Sequence, residues 1–293
     1  MKSAIGIVCK DAGAANLIFS WIKHYHKNHY RVLLQEPASN IMNNFFSNRK
    51  KIKEYKEKFS FLRDIDYLIT GSGSSHFEKK IRNLALKKKI YVVTVLDHYV
   101  NFKSRFIEKK KFILPDEIWC FDPKTFFAAK KIFSKKIIKL KKNFYIRNFL
   151  KKVKSINLIK NPNLLYLTEP HVKNKICKNS NELQSLKFFL DNFYKLNLRH
   201  YNKIIIRLHP KEKKSKYINL VKQYKKTFNI NFDTNIDLLK SINSSSMVFG
   251  LSSYALVVAL KLKRKVFQCK LPGQKFKLLP YKEIKSFYKS TMT

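Results

Sequence analysis

Short β-branched runs recur along this chain, each closing on a turn of small or polar residues and leading into apolar positions at helical spacing. Residues 4–9 (AIGIVC) run into the turn KDAGAAN, after which Leu17, Ile18, Trp21, Ile22 and Tyr25 mark one helical face. The pattern repeats with strands expected at 30–35, 65–70, 90–96 and 117–121, a helix from about His76 after the turn GSGSS, and another over 125–133. A second set follows, with strands at 164–168, 203–208, 230–232, 247–250 and 265–268 and helices over 181–196, 215–224, 236–242 and 254–262. Strands separated by helices pair in parallel and are covered on both faces. The expected fold class is α/β, with two parallel-sheet domains.

Between the two sets, residues 148–163 (NFLKKVKSINLIKNPN) lose the periodicity and end on NPN, which reads as a linker. At about 100–200 residues per domain, a chain of 293 residues holds two. The expected division is 1–155 and 156–293, two similar-sized halves facing a central cleft. A last apolar pattern, Tyr281, Ile284, Phe287 and Tyr288, is expected to be a helix packing back across the halves.

The 62 Lys and Arg against 19 Asp and Glu give a formal charge of +43, so something negative is an expected neighbour. Only nine of the basic residues are Arg, whereas reading base edges favours the rigid Arg fork; a sequence-specific DNA reader is disfavoured. A nucleic-acid binder without turnover is a reading from another class, and the absence of an aromatic stacking platform beside the basic residues counts against it. The lysines, spread among many Asn and Ile, fit equally a genome-wide bias toward AT codons and a functional basic surface. In the second case an anionic membrane leaflet is a natural target, at about 1 kcal/mol for each basic residue near it.

Cys9, Cys120, Cys177 and Cys269 stand singly, so neither a zinc knuckle nor a disulfide framework is expected and a reducing cytoplasm fits. The N-terminus MKSAIGIVCKDAG lacks a signal-peptide h-region, and no apolar run approaches the roughly 18 residues of a membrane span. The expectation is a soluble or peripheral protein, cytoplasmic and at most on the inner face of the membrane.

Ligands of open parallel sheets bind beyond the carboxyl ends of the strands. In the first such turn, Gly13 lets backbone approach a ligand, and the helix start, with Asn16 on it, offers free N–H groups to an anion. Asp11 as a plain N-cap and Gly13 as a packing residue fit the same letters. Ser72 opens the turn Ser72-Gly73-Ser74-Ser75, which also reads as an ordinary capped loop. Asp97 and His98 follow the fourth strand, a carboxylate and an imidazole where a general base is useful; Asp97 bonding a neighbouring turn's amides is the alternative.

In the second half Arg207-Leu208-His209-Pro210 closes a strand, so His209 emerges at the same edge, and Pro210 stands where a missing donor harms nothing. A cation and a proton donor there suit a phosphate leaving group. Gly250 ends the strand before Leu251-Ser252-Ser253-Tyr254, where Ser252 and Ser253 fall at a helix start and amides and hydroxyls together make a phosphate seat. A simple Ser N-cap needs only one of them. Leu271-Pro272-Gly273-Gln274 is another small turn at this edge.

RLHP, followed about forty residues later by GLSSYALVVALKLKRKVF, resembles the HP and paired-serine motifs of bacterial sialyltransferases and polysialyltransferases, and of related two-domain transferases for capsule and lipopolysaccharide sugars. KDAGAAN, LDHYVNFKSRF and LPDEIWCFD look like the N-terminal half of surface-polysaccharide proteins with the same GT-B outline. The resemblance implies two Rossmann-like domains and a glycosyltransferase. It would move a sugar from a nucleotide-sugar donor, held by the C-terminal half, to a cell-surface glycan or lipid-linked acceptor. It also implies that His209 acts on the nucleotide phosphate and that Ser252 and Ser253 bind it, with Arg207 beside them. The family's D/E-D/E-G base motif is not present as such, so Asp97 or Asp11 would supply the base. A UDP-sugar 2-epimerase on the same two-half scaffold is the rival enzyme.

A metal is not expected. Of His24, His26 and His29, neighbours at i and i+2 do not share a helix face, and no carboxylate completes the set. The letters Asp64-Ile65-Asp66 lead into a strand at the end away from the ligand edge, so they do not serve as the DxD of an ion-dependent sugar transferase. No cofactor is expected either.

Overall fold

A computed structural model describes residues 4–25, 29–46, 50–73, 76–99, 101–108, 110–152, 163–170, 182–196, 201, 203–235, 237–271 and 279–287. The chain divides into two compact units, Met1–Asn148 and Phe149–Thr293.

The first unit runs β1 (Ile5–Cys9), α1 (Ala12–Tyr25), β2 (Tyr30–Leu34), α2 (Ala38–Phe45), β3 (Ile52–Glu54), α3 (Lys58–Arg63), β4 (Tyr67–Gly71), α4 (His76–Lys87) and β5 (Tyr91–Leu96). A 3-10 turn (Lys103–Phe106) and a small hairpin, β6 (Ile107–Glu108) and β7 (Lys111–Phe112), precede β8 (Glu117–Cys120), α5 (Pro123–Ile132) and β9 (Ile137–Leu140), and α6 (Phe144–Lys152) runs across the boundary at Asn148. Seven strands form one parallel sheet in the order β3-β2-β1-β4-β5-β8-β9.

Both faces of that sheet are buried, as near-continuous apolar strands require. Side chains alternate along β1: Ile7 and Cys9 join the core under α1, with Leu17, Ile18 and Ile22, whereas Val8 joins Phe61, Leu62 and Ile81 of α3 and α4. Local chemistry sets the helix starts. The Asp122 carboxylate accepts from Lys124 N–H and Thr125 N–H, and Pro123 at the first helical position gives up no needed donor.

The second unit runs β10 (Asn163–Leu167), α7 (Glu182–Asn192), a 3-10 turn (Phe193–Leu196), β11 (Ile204–Arg207), α8 (Ser215–Tyr224) and β12 (Ile230–Phe232). It continues with α9 (Leu238–Asn243), β13 (Ser245–Gly250), α10 (Tyr254–Lys261), β14 (Lys265–Gln268) and β15 (Ile284–Ser286). Its six strands are parallel in the order β12-β11-β10-β13-β14-β15. Tyr166, Phe189, Phe193, Phe249, Phe267 and Phe287 pack together in its core.

Each sheet therefore steps outward from its first strand in one direction and then in the other, the Rossmann order. The reversal falls between β1 and β4 in the first unit and between β10 and β13 in the second, and in sheets of this order the crevice for a ligand lies beyond the strand ends at that point.

Two expectations are corrected. The last apolar pattern is a strand and not a helix: Ile284 pairs with Val266 and Ser286 with Gln268. Tyr281, Ile284 and Phe287 are indeed buried, but β14 would otherwise leave its ladder groups bare at the sheet edge, and pairing takes precedence over a spacing of three. Tyr288 lies outside the described residues. The charged stretch read as a linker begins as helix, because residues 148–152 belong to α6; residues 153–162 lie outside the description.

Candidate functional site

At the crevice of the first unit, Asp11 follows β1 and its carbonyl accepts the Ala15 N–H at 3.0 Å, opening α1. Asp97 follows β5 and is 2% exposed. Its Oδ1 accepts the Ser72 hydroxyl at 3.2 Å and lies 3.3 Å from Nε2 of His98, while Oδ2 lies where a side chain on Gly13 would be. Four expected residues, Asp97, His98, Ser72 and Gly13, are thus in one cluster. Asn16 instead donates Nδ2 to Ala12 O within its own helix, at 3.0 Å. Ser74 and Ser75 lie outside the described residues.

Glu78 was not singled out by sequence. Fully buried on α4, it accepts the Lys10 N–H on Oε1 at 2.9 Å and the Gly73 N–H on Oε2 at 3.0 Å, tying the ends of β1 and β4 together across the crevice. A Cβ on Gly73 would meet Asp11 Oδ2 and Glu78 Oε2, so two carboxylates fill the space of one missing side chain. Burial, then the Asp11 charge, pushes the Glu78 carboxyl up to about 7, against the bond from Lys10 N–H.

Arginines face this acidic group. Arg105 donates Nη1 to Ser72 O at 2.9 Å, and Arg82 donates Nη2 to Arg105 O at 3.1 Å while lying 5.1 Å over the Phe106 ring. Burial lowers both guanidinium groups, Arg82 to about 10, with Glu78 opposing it; for Arg105 the opposition comes first from Asp97. Chemically, the crevice offers a hydrogen-bonded carboxylate beside an imidazole and a second carboxyl that exchanges its proton near neutrality. Burial, then Glu78, raises the Cys9 thiol well above its usual range, so it is no nucleophile.

At the corresponding edge of the second unit, His209 follows β11. Its backbone N–H donates to Thr168 Oγ1 at 2.8 Å, and its Nδ1 accepts the Lys211 N–H at 3.1 Å. A ring whose Nδ1 accepts carries its neutral-form proton on Nε2. Pro210 is exposed in the turn. Arg207 commits Nη1 to the Asp233 carboxylate, to Asn235 O at 2.8 Å and to Ser241 Oγ at 2.9 Å, fastening β11 to the loop after β12. Burial pushes Asp233 up, but the bonds from Ser241 and Arg207 outweigh it and leave its carboxyl below the usual range.

Across the reversal between β10 and β13, Ser252 donates its N–H to Glu169 Oε2 at 2.7 Å and its hydroxyl to Oε1 at 3.0 Å. The start of α10 therefore holds an anion, the chain's own Glu169 carboxylate. Ser253 is the N-cap residue, with φ −69° and ψ 153°, and its hydroxyl makes no capping bond. A Cβ on Gly250 would stand 3.1 Å from Leu167 O, so its missing side chain lets β10 and β13 close up. Residues 272–278, with the turn Pro272-Gly273-Gln274, lie outside the described residues.

A usable signal existed for Glu169. It stands just beyond the first strand of its unit, as Asp11 does in the other. Glu78 gave none, because a Glu followed by Lys79 and Lys80 reads as a solvated helix face. His24 stacks on Phe144 with ring centroids 3.7 Å apart, and His26 lies outside the description. Asp66 precedes β4 at the amino end of the sheet. Among the described residues no group of three His, Cys, Asp or Glu could hold a metal ion, and no helix is long and apolar enough to cross a membrane.

No protein-family model matches the chain, and no curated protein sequence matches it. Solved structures do. The chain is similar to S. aureus MnaA solved with UDP, with a TM-score of 0.63 and 12% identity over 92% of this chain and 79% of that one. It is similar to the UDP-GlcNAc 2-epimerase of Methanocaldococcus jannaschii in complex with UDP-GlcNAc and UDP, with a TM-score of 0.58 and 14% identity over 90% and 83%. A third similar structure is the wall teichoic acid polymerase TagF, with a TM-score of 0.54 and 13% identity over 91% and 69%. At such identities the likeness shows the fold, two Rossmann-like units of the GT-B kind.

Proposed function

We propose that this chain is a nucleotide-sugar enzyme that transfers the sugar to a cell-surface glycan or a lipid-linked acceptor. The observation that carries the reading is the seat at Ser252, where an amide and a hydroxyl at a helix start already hold a carboxylate beside the crevice between β10 and β13. Similar folds solved with UDP or UDP-GlcNAc support a nucleotide-sugar ligand.

In this scheme the donor's phosphate displaces Glu169, takes the Ser252 amide and hydroxyl, and is met by Ser253. His209 offers its Nε2–H to the leaving phosphate. Arg207, held by Asp233, acts through its charge from behind. The acceptor hydroxyl is taken up by the first unit, beside Gly13 and Asn16, and gives its proton to Asp97, whose Oδ1 is fixed by Ser72 and His98; Asp11 is the second candidate base. The acceptor oxygen bonds to the anomeric carbon as the bond from that carbon to the phosphate oxygen breaks, and the electron pair leaves on the phosphate. The scheme uses no metal ion or cofactor. The basic surface holds the enzyme at the anionic inner leaflet of the membrane.

Thermal shift against CMP, UDP, GDP and CDP tests the ligand class, since a ligand selective for the native state raises stability with its concentration. Full turnover by His209→Ala would refute the role given to that side chain. A second reading, epimerisation of a UDP-sugar, is favoured by one observation: Asp11, Glu78 and Asp97 converge on one crevice, an acid-base set of the kind that proton exchange at a sugar carbon needs. Product analysis in the absence of any acceptor separates the two.

A further inference from the structure

We infer that Thr168, Tyr217 and Glu212 are positioning residues that hold the His209 ring in one tautomer, with its proton on the nitrogen offered to the phosphate. The inference rests on the reading of His209 as the group that meets a nucleotide phosphate, but its physical content is separate from it.

Three hydrogen bonds link the four residues around His209. The His209 backbone N–H can only donate, and it donates to Thr168 Oγ1 at 2.8 Å. Thr168 also bears on the Tyr217 hydroxyl, working against the rise of its phenol. Tyr217 donates to Glu212 Oε1, which as a carboxylate can only accept. Glu212 donates its own N–H to His209 O at 2.8 Å. A backbone donor sets the direction of the bond to Thr168, and the carboxylate sets that of the bond from Tyr217. Lys216 Nζ, which also pairs with Glu182, lies 3.3 Å from Glu212 Oε1.

Burial gives the network its rigidity. Tyr217 is fully buried, Thr168 is 6% exposed, and the Glu212 side chain is 2% exposed, so breaking either side-chain bond strands a buried polar group. Burial, then Glu212, holds the Tyr217 phenol far above its usual range, so it remains a donor. Within the turn that the network closes, Pro210 has a restricted φ, and Lys211 N–H is aimed at His209 Nδ1 at 3.1 Å. That bond is what leaves the proton on Nε2. A loosened turn releases it and lets both tautomers exchange.

The test is long-range 1H–15N correlation spectroscopy of the full chain labelled at histidine, with the His209 signals identified by their loss in His209→Gln. The expected wild-type pattern is one protonated Nε2 and one bare Nδ1. In Tyr217→Phe and Thr168→Val the two His209 nitrogens should converge toward averaged positions while the other histidines stay unmoved, and Thr168→Ser, which keeps the hydroxyl, should retain the wild-type pattern. Should Tyr217→Phe fail to fold, the Thr168 pair decides. A His209 pattern unmoved in folded Thr168→Val, or a wild-type ring protonated on Nδ1, overturns the inference. Addition of UDP separates the two claims: a tautomer that depends on Thr168, in a ring that UDP does not shift, upholds the positioning network and overturns only the phosphate-facing role.

Discussion

The Asp97 carboxylate occupies the space that a side chain on Gly13 would need: a Cβ built at residue 13 overlaps Oδ2, and only the bare α-carbon lets the carboxylate lie against the first turn of α1. Gly13→Ala is therefore expected to destabilise the protein by about 1–3 kcal/mol and to disturb any chemistry at Asp97. Asp97→Ala should relieve the overlap, because its own Cβ stands 3.7 Å away, an ordinary contact. Urea unfolding of the two single variants and the double variant checks this. Strict additivity would show that the residues do not share that space.

Glu78 makes stability depend on pH. Its carboxyl is raised from 4.5 to about 7 in the folded chain, so the native state binds more protons than the unfolded state between those values. The stabilisation is fully present below pH of about 4.5 and is lost as pH rises through about 7, with a total of about 3 kcal/mol. Glu78→Gln should flatten that part of the profile. Urea midpoints measured across the range read the slope directly, and a slope unchanged in the variant would place its origin elsewhere.

Glu169 and a ligand phosphate compete for the same donors on Ser252 in the proposed scheme. Ser252→Ala should weaken UDP binding about tenfold, or about 1.4 kcal/mol, whereas Glu169→Ala should strengthen it by removing the occupant. Calorimetric titration distinguishes the two. Weaker binding by Glu169→Ala would give Glu169 a direct hold on the ligand and end the displacement scheme.

Arg207 is expected to matter more for stability than for affinity. Its partner Asp233 is 3% exposed, and Arg207→Met would leave that carboxylate buried without its cation, at a cost of about 3 kcal/mol. Asp233→Asn in the same background should recover part of the loss. A variant of unchanged unfolding midpoint but much weaker nucleotide binding would make Arg207 a ligand-facing residue.

Much of the fold is legible locally. The runs KVFQ and INF are strands β14 and β12, and SKYINLVKQY is helix α8, because apolar period and flanking turn chemistry act within a few residues. The two edge strands of the first sheet escape such reading. IKE (β3) and IIKL (β9) are short and carry charge, as sheet borders do, and only a neighbouring strand makes them strands. Tyr281, Ile284 and Phe287 mislead in the same way, since a spacing of three is helical until β14 offers an unpaired edge.

For the candidate site, strand ends could be read from the chain alone, and with them two separate rims, one bearing Asp11 and Asp97 and the other His209 and Ser252, because strand and turn signals are local and the rule that ligands gather at carboxyl ends is general. Which of those groups meet was decided by the folded sheets. Arg207 binds Asp233 26 residues away, and Ser252 binds Glu169 83 residues away. Such pairs follow from strand order, which places β11 beside β12 and β10 beside β13, and a residue's position along the chain holds no record of the distance across neighbouring strand ends.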